Sequence, residues 1–247
     1  MNFATAIRSI RESVCAVMKV SPSTVPDPAS GSPAPPQYAV SFVGTAWCIV
    51  ENKYFVTANH IFNKGQPRNP EDKYVLFFVP NNGLSAYHTN VTGFVLENEA
   101  YDVAVIEISA VPPEVKSVPA VPVTFSFQDD GNRVLTYGFP SPIISNAMVD
   151  VQGNWVRGSL FLKGHANEGI IAGQYLLNDA LAYELNVGWH HGESGGPIFK
   201  LEPAAAFALM QTYRGIQSPN GVYPGPRRGF SLEVIKSALM DMGAAII

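Results

Sequence analysis

The chain has 247 residues, of which 47% are hydrophobic, 11% aromatic and only 15% charged, with a formal net charge of -4. This balance excludes disorder along the whole chain, and it supplies neither a basic face for nucleic acid nor a polybasic patch for an anionic membrane. The 21 glycines and 20 prolines fall between short apolar runs, the texture of an all-β protein built as one compact unit or as two small barrels.

Met1–Val20 mixes Arg8, Arg11, Glu12 and Lys19 with apolar positions and contains no continuous apolar stretch of signal-peptide length. No later stretch is long enough to span a membrane. A cytoplasmic location is therefore expected unless a leader has been removed. Cys15 and Cys48 both sit in apolar, strand-like runs and read as buried free thiols rather than as a disulfide or ligand pair. Two cysteines are too few for a zinc site of their own.

Ala4–Ile10 carries a helical pattern that leads into a strand over Ser13–Val20. Ser21–Gln37 holds six prolines and almost nothing to bury, and is expected to be an exposed loop. Tyr38–Val50 and Tyr54–Ala58 form a hairpin turning at Glu51-Asn52-Lys53. Lys73–Val79, His88–Leu96 and Val103–Ile108 bring the strand count to about six before residue 112. Val111–Pro122, with four prolines and no strong period, is the expected connector, so that residues 1–112, 113–122 and 123–247 are the expected N-terminal unit, linker and C-terminal unit.

The second half has the same texture. Strands are expected over Arg133–Phe139, Met148–Gln152, Val156–Lys163, Gly169–Gln174, Leu181–Leu185, Pro197–Leu201 and Ala206–Tyr213. In Ser231–Met242, Leu232, Ile235, Leu239 and Met242 recur at helical spacing, which predicts a C-terminal amphipathic helix.

Three stretches carry chemistry. Gly192-Glu193-Ser194-Gly195-Gly196-Pro197 holds a serine between glycines, a turn that lifts the hydroxyl clear and lets neighbouring N–H groups converge on one spot. A serine needs a base to become a nucleophile. His60, placed by the apolar run Tyr54–Ala58, is suited to that role, and Asp102 directly precedes a buried strand. Each alone has a bland reading, the histidine as a strand-terminal hydrogen bonder and the aspartate as a turn residue. Their order His60, Asp102, Ser194 is that of the chymotrypsin-type triad and not of the α/β-hydrolases, whose serine comes first.

Thr57-Ala58-Asn59-His60, Asp102-Val103-Ala104-Val105 and Gly192-Glu193-Ser194-Gly195-Gly196-Pro197 together resemble the signature blocks of trypsin-like serine peptidases. The opening helix and strand, Tyr137-Gly138-Phe139-Pro140, and Gly229-Phe230-Ser231 before the terminal helix resemble the HtrA-type and glutamyl-endopeptidase-like branch. The resemblance, over roughly residues 4 to 243, implies two six-stranded antiparallel β-barrels with a C-terminal α-helix, a site in the cleft between them, and no residues left for a PDZ domain. It implies Ser194 as nucleophile, His60 as general base then acid, Asp102 as the group orienting the imidazole, and the N–H groups of Gly192 and Ser194 as the oxyanion hole. It implies a protein or peptide substrate and no metal or organic cofactor.

By the same resemblance the primary specificity pocket is lined by Gly188, Trp189 and His191, by Thr212, Tyr213 and Arg214, and near Gly229. Gly188 takes the place of the acid that selects Arg and Lys substrates, which leaves an apolar or an acidic side chain as the preferred residue. Glu193 stands where digestive enzymes carry Asp and HtrA-type enzymes commonly Asn. With no Ile-Val-Gly-Gly type activation start, activity without propeptide removal is expected, with Glu193 bonded locally or solvated. A resting loop with Gly192 turned the wrong way remains the alternative.

Overall fold

The computed structural model describes residues 2–23, 37–63, 67–80, 85–188, 190–211, 215–218, 221–224 and 227–247. The first half opens with helix α1 (Phe3–Ile10), N-capped by the Asn2 side chain, which accepts from the Thr5 N–H. A 3-10 turn, Arg11–Ser13, passes the chain into β1 (Val14–Ser23). β2 (Gln37–Val50), β3 (Tyr54–Ala58), β4 (Lys73–Phe78), β5 (Tyr87–Asn98) and β6 (Val103–Ile108) follow, with the short helix α2 (His60–Asn63) after β3. They close into a barrel in the order β1-β2-β3-β6-β5-β4.

The expected loop 21–37 is shorter than the sequence suggested. Ser21–Ser23 continue β1 and pair with Ala39, Tyr38 and Gln37 of β2. Only the part of that loop between Ser23 and Gln37 lies outside the described residues.

The second half supplies β7 (Arg133–Gly138), β8 (Ile143–Val149), β9 (Trp155–Phe161), β10 (His165–Leu177), β11 (Ala180–Asn186), β12 (Pro197–Leu201), β13 (Ala204–Met210), β14 (Gly215–Ser218), β15 (Gly221–Pro224) and β16 (Arg227–Ser231). Its barrel runs β10-β11-β16-β13-β12-β7, again antiparallel throughout. The expected fold class is therefore the observed one, with a different strand inventory in this half. β8 and β9 stand apart as a two-stranded hairpin, and β16, which the sequence reading treated only as a lead-in to the final helix, is the sixth stave.

The expected strand Met148–Gln152 lies instead at 143–149, because Asp150 accepts from the N–H groups of Gln152 and Asn154 and turns the chain there. The expected helix Ser231–Met242 is divided: a 3-10 turn over Leu232–Ile235 is started by Ser231, whose hydroxyl accepts from the Glu233 N–H, and only Lys236–Asp241 (α3) is α-helical. Leu232, Ile235 and Leu239 are buried, so the apolar stripe docks as its spacing requires.

One continuous apolar core fills the first barrel and reaches through Leu135, Phe139, Phe199 and Leu209 into the second half. A separate cluster around Val134, Tyr183, Ile198 and Phe207 fills the second barrel. Cys15 and Cys48 are free and buried in the first core. Burial raises both thiols, Cys48 to about 12, so neither is a nucleophile at neutral pH. Among the described residues, no helix is long and apolar enough to cross a membrane.

Candidate active site

His60 and Asp102 are locked together by the ends of two neighbouring strands. β3 and β6 pair in register from Tyr54↔Glu107 to Ala58↔Val103, so the residue after one strand faces the residue before the other. Asp102 adopts φ +55, a left-handed conformation that Asp tolerates, and this turns its side chain back over the β3 exit. Its carbonyl accepts from the Asn59 N–H at 3.1 Å. Its Oδ1 accepts from the His60 N–H at 2.7 Å, and its Oδ2 lies 2.7 Å from His60 Nδ1. A carboxylate on Nδ1 fixes that nitrogen as the protonated one and leaves Nε2 as the free base.

Ser194 sits in the β11–β12 connection, with the residue 4% exposed. Its own carbonyl accepts from the Thr45 N–H of β2 at 2.8 Å, a bond from one barrel to the other. Gly195 takes φ +87, and a Cβ there would strike Thr45 O and the Thr57 hydroxyl and lie 2.8 Å from Ala58 N. The turn holding Ser194 is thus pressed onto the end of β3, two residues before His60. Glycine is required at 195 for both space and backbone conformation.

Thr45 has a second part in this joint. Its hydroxyl donates to Gly192 O at 2.7 Å and accepts from the Phe139 N–H at 3.1 Å. Gly192 has φ +101, and a Cβ would collide with Phe139 O. The preceding carbonyl, His191 O, accepts from the Ser141 N–H at 2.7 Å. Since the N–H and C=O of a trans peptide point opposite ways, the Gly192 N–H is turned away from Ser141. Among the described residues, no backbone acceptor engages the N–H of Gly192 or of Ser194.

Glu193 is fully buried and bonded locally, one of the two alternatives read from the sequence. It accepts from the His190 N–H at 2.7 Å and from Asn167 Nδ2 at 3.0 Å, and its own N–H donates to His190 O at 3.2 Å. Burial raises its pKa, while the His190 and Asn167 hydrogen bonds and the nearby Arg227 charge oppose that rise.

The residues expected to line the specificity pocket divide. Gly188 follows β11, and a Cβ there would meet Asn167 Oδ1 at 3.1 Å. His190 and His191 are both exposed. Gly229 points its missing side chain at Ile198 in the second core. Trp189, Thr212, Tyr213 and Arg214 lie outside the described residues. Arg227, not singled out in the sequence, donates to Val187 O at 2.7 Å beside Gly188. Thr45 and Asn167 were missed as well. The only sequence trace of Thr45 is a hydroxyl at the head of an apolar run, and Asn167 leaves none. Among the described residues, no group of His, Cys, Asp or Glu side chains could hold a metal ion.

Two antiparallel six-stranded barrels joined over a His-Asp pair and a glycine-flanked serine define the chymotrypsin-like class. The family model of the trypsin-like peptidase domain matches residues 44–204, and the chain belongs to that family. Among solved structures, the HtrA-type protease AlgW with a decapeptide superposes with a TM-score of 0.65 at 14% identity, over 98% of this chain and 67% of that one. Deg5 superposes with a TM-score of 0.59 at 11% identity, over 99% of this chain and 95% of that one. No curated protein matches the sequence at a significant level.

Proposed function

We propose that the protein is a serine endopeptidase in which Ser194 attacks the scissile carbonyl and His60 first takes and then returns the proton. The observation that carries this is the His60–Asp102 pair at 2.7 Å, with the Ser194 turn pressed onto the strand that delivers His60. His60 Nε2 removes the Ser194 Oγ proton as Oγ bonds to the carbonyl carbon, and Asp102 stabilises the resulting imidazolium. The oxyanion is held by the N–H groups of Gly192 and Ser194, each such donor being worth about 3 kcal/mol of barrier. Collapse expels the amine with the His60 proton and leaves an acyl ester on Ser194, which water hydrolyses by the same route. The reaction calls for no metal or organic cofactor.

The anchoring of His191 O on Ser141 supports a loop already turned for catalysis, and the local bonding of Glu193 supports activity without propeptide removal. A peptide or protein substrate accords with the decapeptide held by the AlgW neighbour. Substrates with a basic residue before the scissile bond are disfavoured, because Gly188 brings no acid and Arg227 brings a cation to the same edge. Arg227 favours the acidic over the apolar alternative.

A fluorophosphonate probe tests the reading. Labelling at Ser194 that disappears in Ser194→Ala, with turnover falling roughly a million-fold, is the expected result. Absence of labelling, with and without peptides, would make the protein a silent fold that only binds.

A further inference from the structure

A cavity of about 330 Å³ opens behind the catalytic turn, between the N-terminal segment and the β9–β10 connection. Its walls combine Val79, Leu160 and Leu162 with the polar groups of Arg11, Tyr137 and Lys163, and among the described lining residues there is no carboxylate. Arg11 caps the end of α1 through its backbone N–H, which donates to Ile7 O. Its side chain is not used there: Arg11 Nε is buried and has no hydrogen-bond partner. Arg11 as a whole is half-buried, so its guanidinium is only partly hydrated and a bound anion would add a charge-assisted hydrogen bond.

The neighbouring groups point the same way. Tyr137 lies close enough that the Arg11 charge opposes the rise that burial imposes on its phenol. Gly164 makes room for that phenol, since a Cβ at 164 would collide with Tyr137 Oη. Lys163, exposed at the rim, adds a second positive charge. The cavity reaches the size of small-molecule sites and offers an apolar floor with a forked donor at one side. Arg11 matches a carboxylate in shape, and the apolar walls match a hydrocarbon body rather than a strongly hydrated phosphate.

We propose that this cavity is a binding site for a carboxylate carried on an apolar body, with Arg11 as the anchor, Lys163 as a rim charge and Tyr137 as a hydroxyl donor. Two sources share that chemistry: a free fatty acid and the C-terminal apolar residue of a peptide. The site contains none of the proposed catalytic residues, but one of its walls, Tyr137, belongs to the strand that lies against the Ser194 turn. A Cβ at Gly196 would lie 2.6 Å from Tyr137 O, so the Tyr137 backbone is in contact with the Ser194 turn.

Calorimetric titration of the full chain with octanoate and with N-acetylphenylalanine tests the proposal. At least one of the two binds at submillimolar to millimolar concentration, and which one binds more tightly identifies the source. Arg11→Gln weakens binding about ten-fold or more and Lys163→Gln by about three-fold, as expected for a half-buried and an exposed charge. Ala86→Phe, which fills the cavity from another wall, abolishes binding and guards against misfolding of the Arg11 variant. The proposal is overturned if neither compound binds, if octanol binds as well as octanoate, if inorganic phosphate binds as well as either, or if all three variants bind like the wild type.

Discussion

The two halves of the proposed site are built on different logic. On the first-barrel side, two hydrogen bonds join His60 to Asp102 and a third joins Asn59 to Asp102, all at the ends of paired strands, so that this half of the proposed site is held within one barrel. On the second-barrel side, the Ser194 turn closes on groups it does not own: the Thr45 N–H and hydroxyl, and the packing surface of Thr57 and Ala58. One half is positioned by secondary structure and the other by tertiary contact. Errors in the first should act on chemistry, whereas errors in the second should act on chemistry and on folding together.

The sharpest separation comes from Asp102→Asn. The Asn carbonyl can keep the His60 N–H and then present its NH2 to His60 Nδ1, forcing the wrong tautomer. We expect kcat to fall about 10⁴-fold with an unchanged melting temperature, read by steady-state kinetics and calorimetry. A large loss of stability would show that the first-barrel half is not self-sufficient.

Gly195→Ala strikes the other half. The new methyl meets Thr45 O and the Thr57 hydroxyl in a backbone conformation that L residues rarely adopt, at a cost of about 3 kcal/mol of stability. Chemical denaturation should show this loss, and activity should fall with it. Thr45→Val keeps the shape and removes the hydroxyl, leaving the buried Phe139 N–H unpaired and Gly192 O untethered. About 2 kcal/mol of transition-state stabilisation should be lost, read by steady-state kinetics mostly in kcat and little in KM, since the proposed oxyanion donors are what it displaces.

The smallest effect is expected at Glu193. Its pKa is raised in the folded protein, so the folded state binds the proton more tightly than the unfolded chain. Glu193 therefore favours folding fully below its ordinary carboxylate value, and that contribution is lost as pH rises through the folded value. Glu193→Gln should flatten this slope in melting curves taken across the same window. Asn167 can turn its amide over to meet the new NH2 group, so the turn itself should survive. An unchanged slope would show that Glu193 is not the group responsible.

Legibility in the sequence followed the same division. The placing of His60 and Asp102 at strand ends and of Ser194 in a glycine turn could be read, because there local pattern carries the information. Thr45 and Gly192, 147 positions apart, meet only because two barrels dock, and nothing local marks that meeting. β16 escaped notice for a related reason: Arg227-Arg228-Gly229-Phe230-Ser231 has no two-residue alternation, and it becomes a strand because β11 and β13 leave a gap for it. The strand shift at β8 has a purely local cause in the Asp150 turn, which an Asp two residues before Gln152 could have indicated.

The Thr45–Thr57–Gly195 contact also limits how the molecule can be recombined. A hybrid that took its second barrel from a relative would import a serine turn shaped for another pair of first-barrel residues, and the imported glycine would face a surface it had never been fitted to. Productive exchange would have to carry the ends of β2 and β3 along with the turn. The unit of inheritance in this protein is therefore the joint, made of pieces from both barrels, rather than either barrel alone.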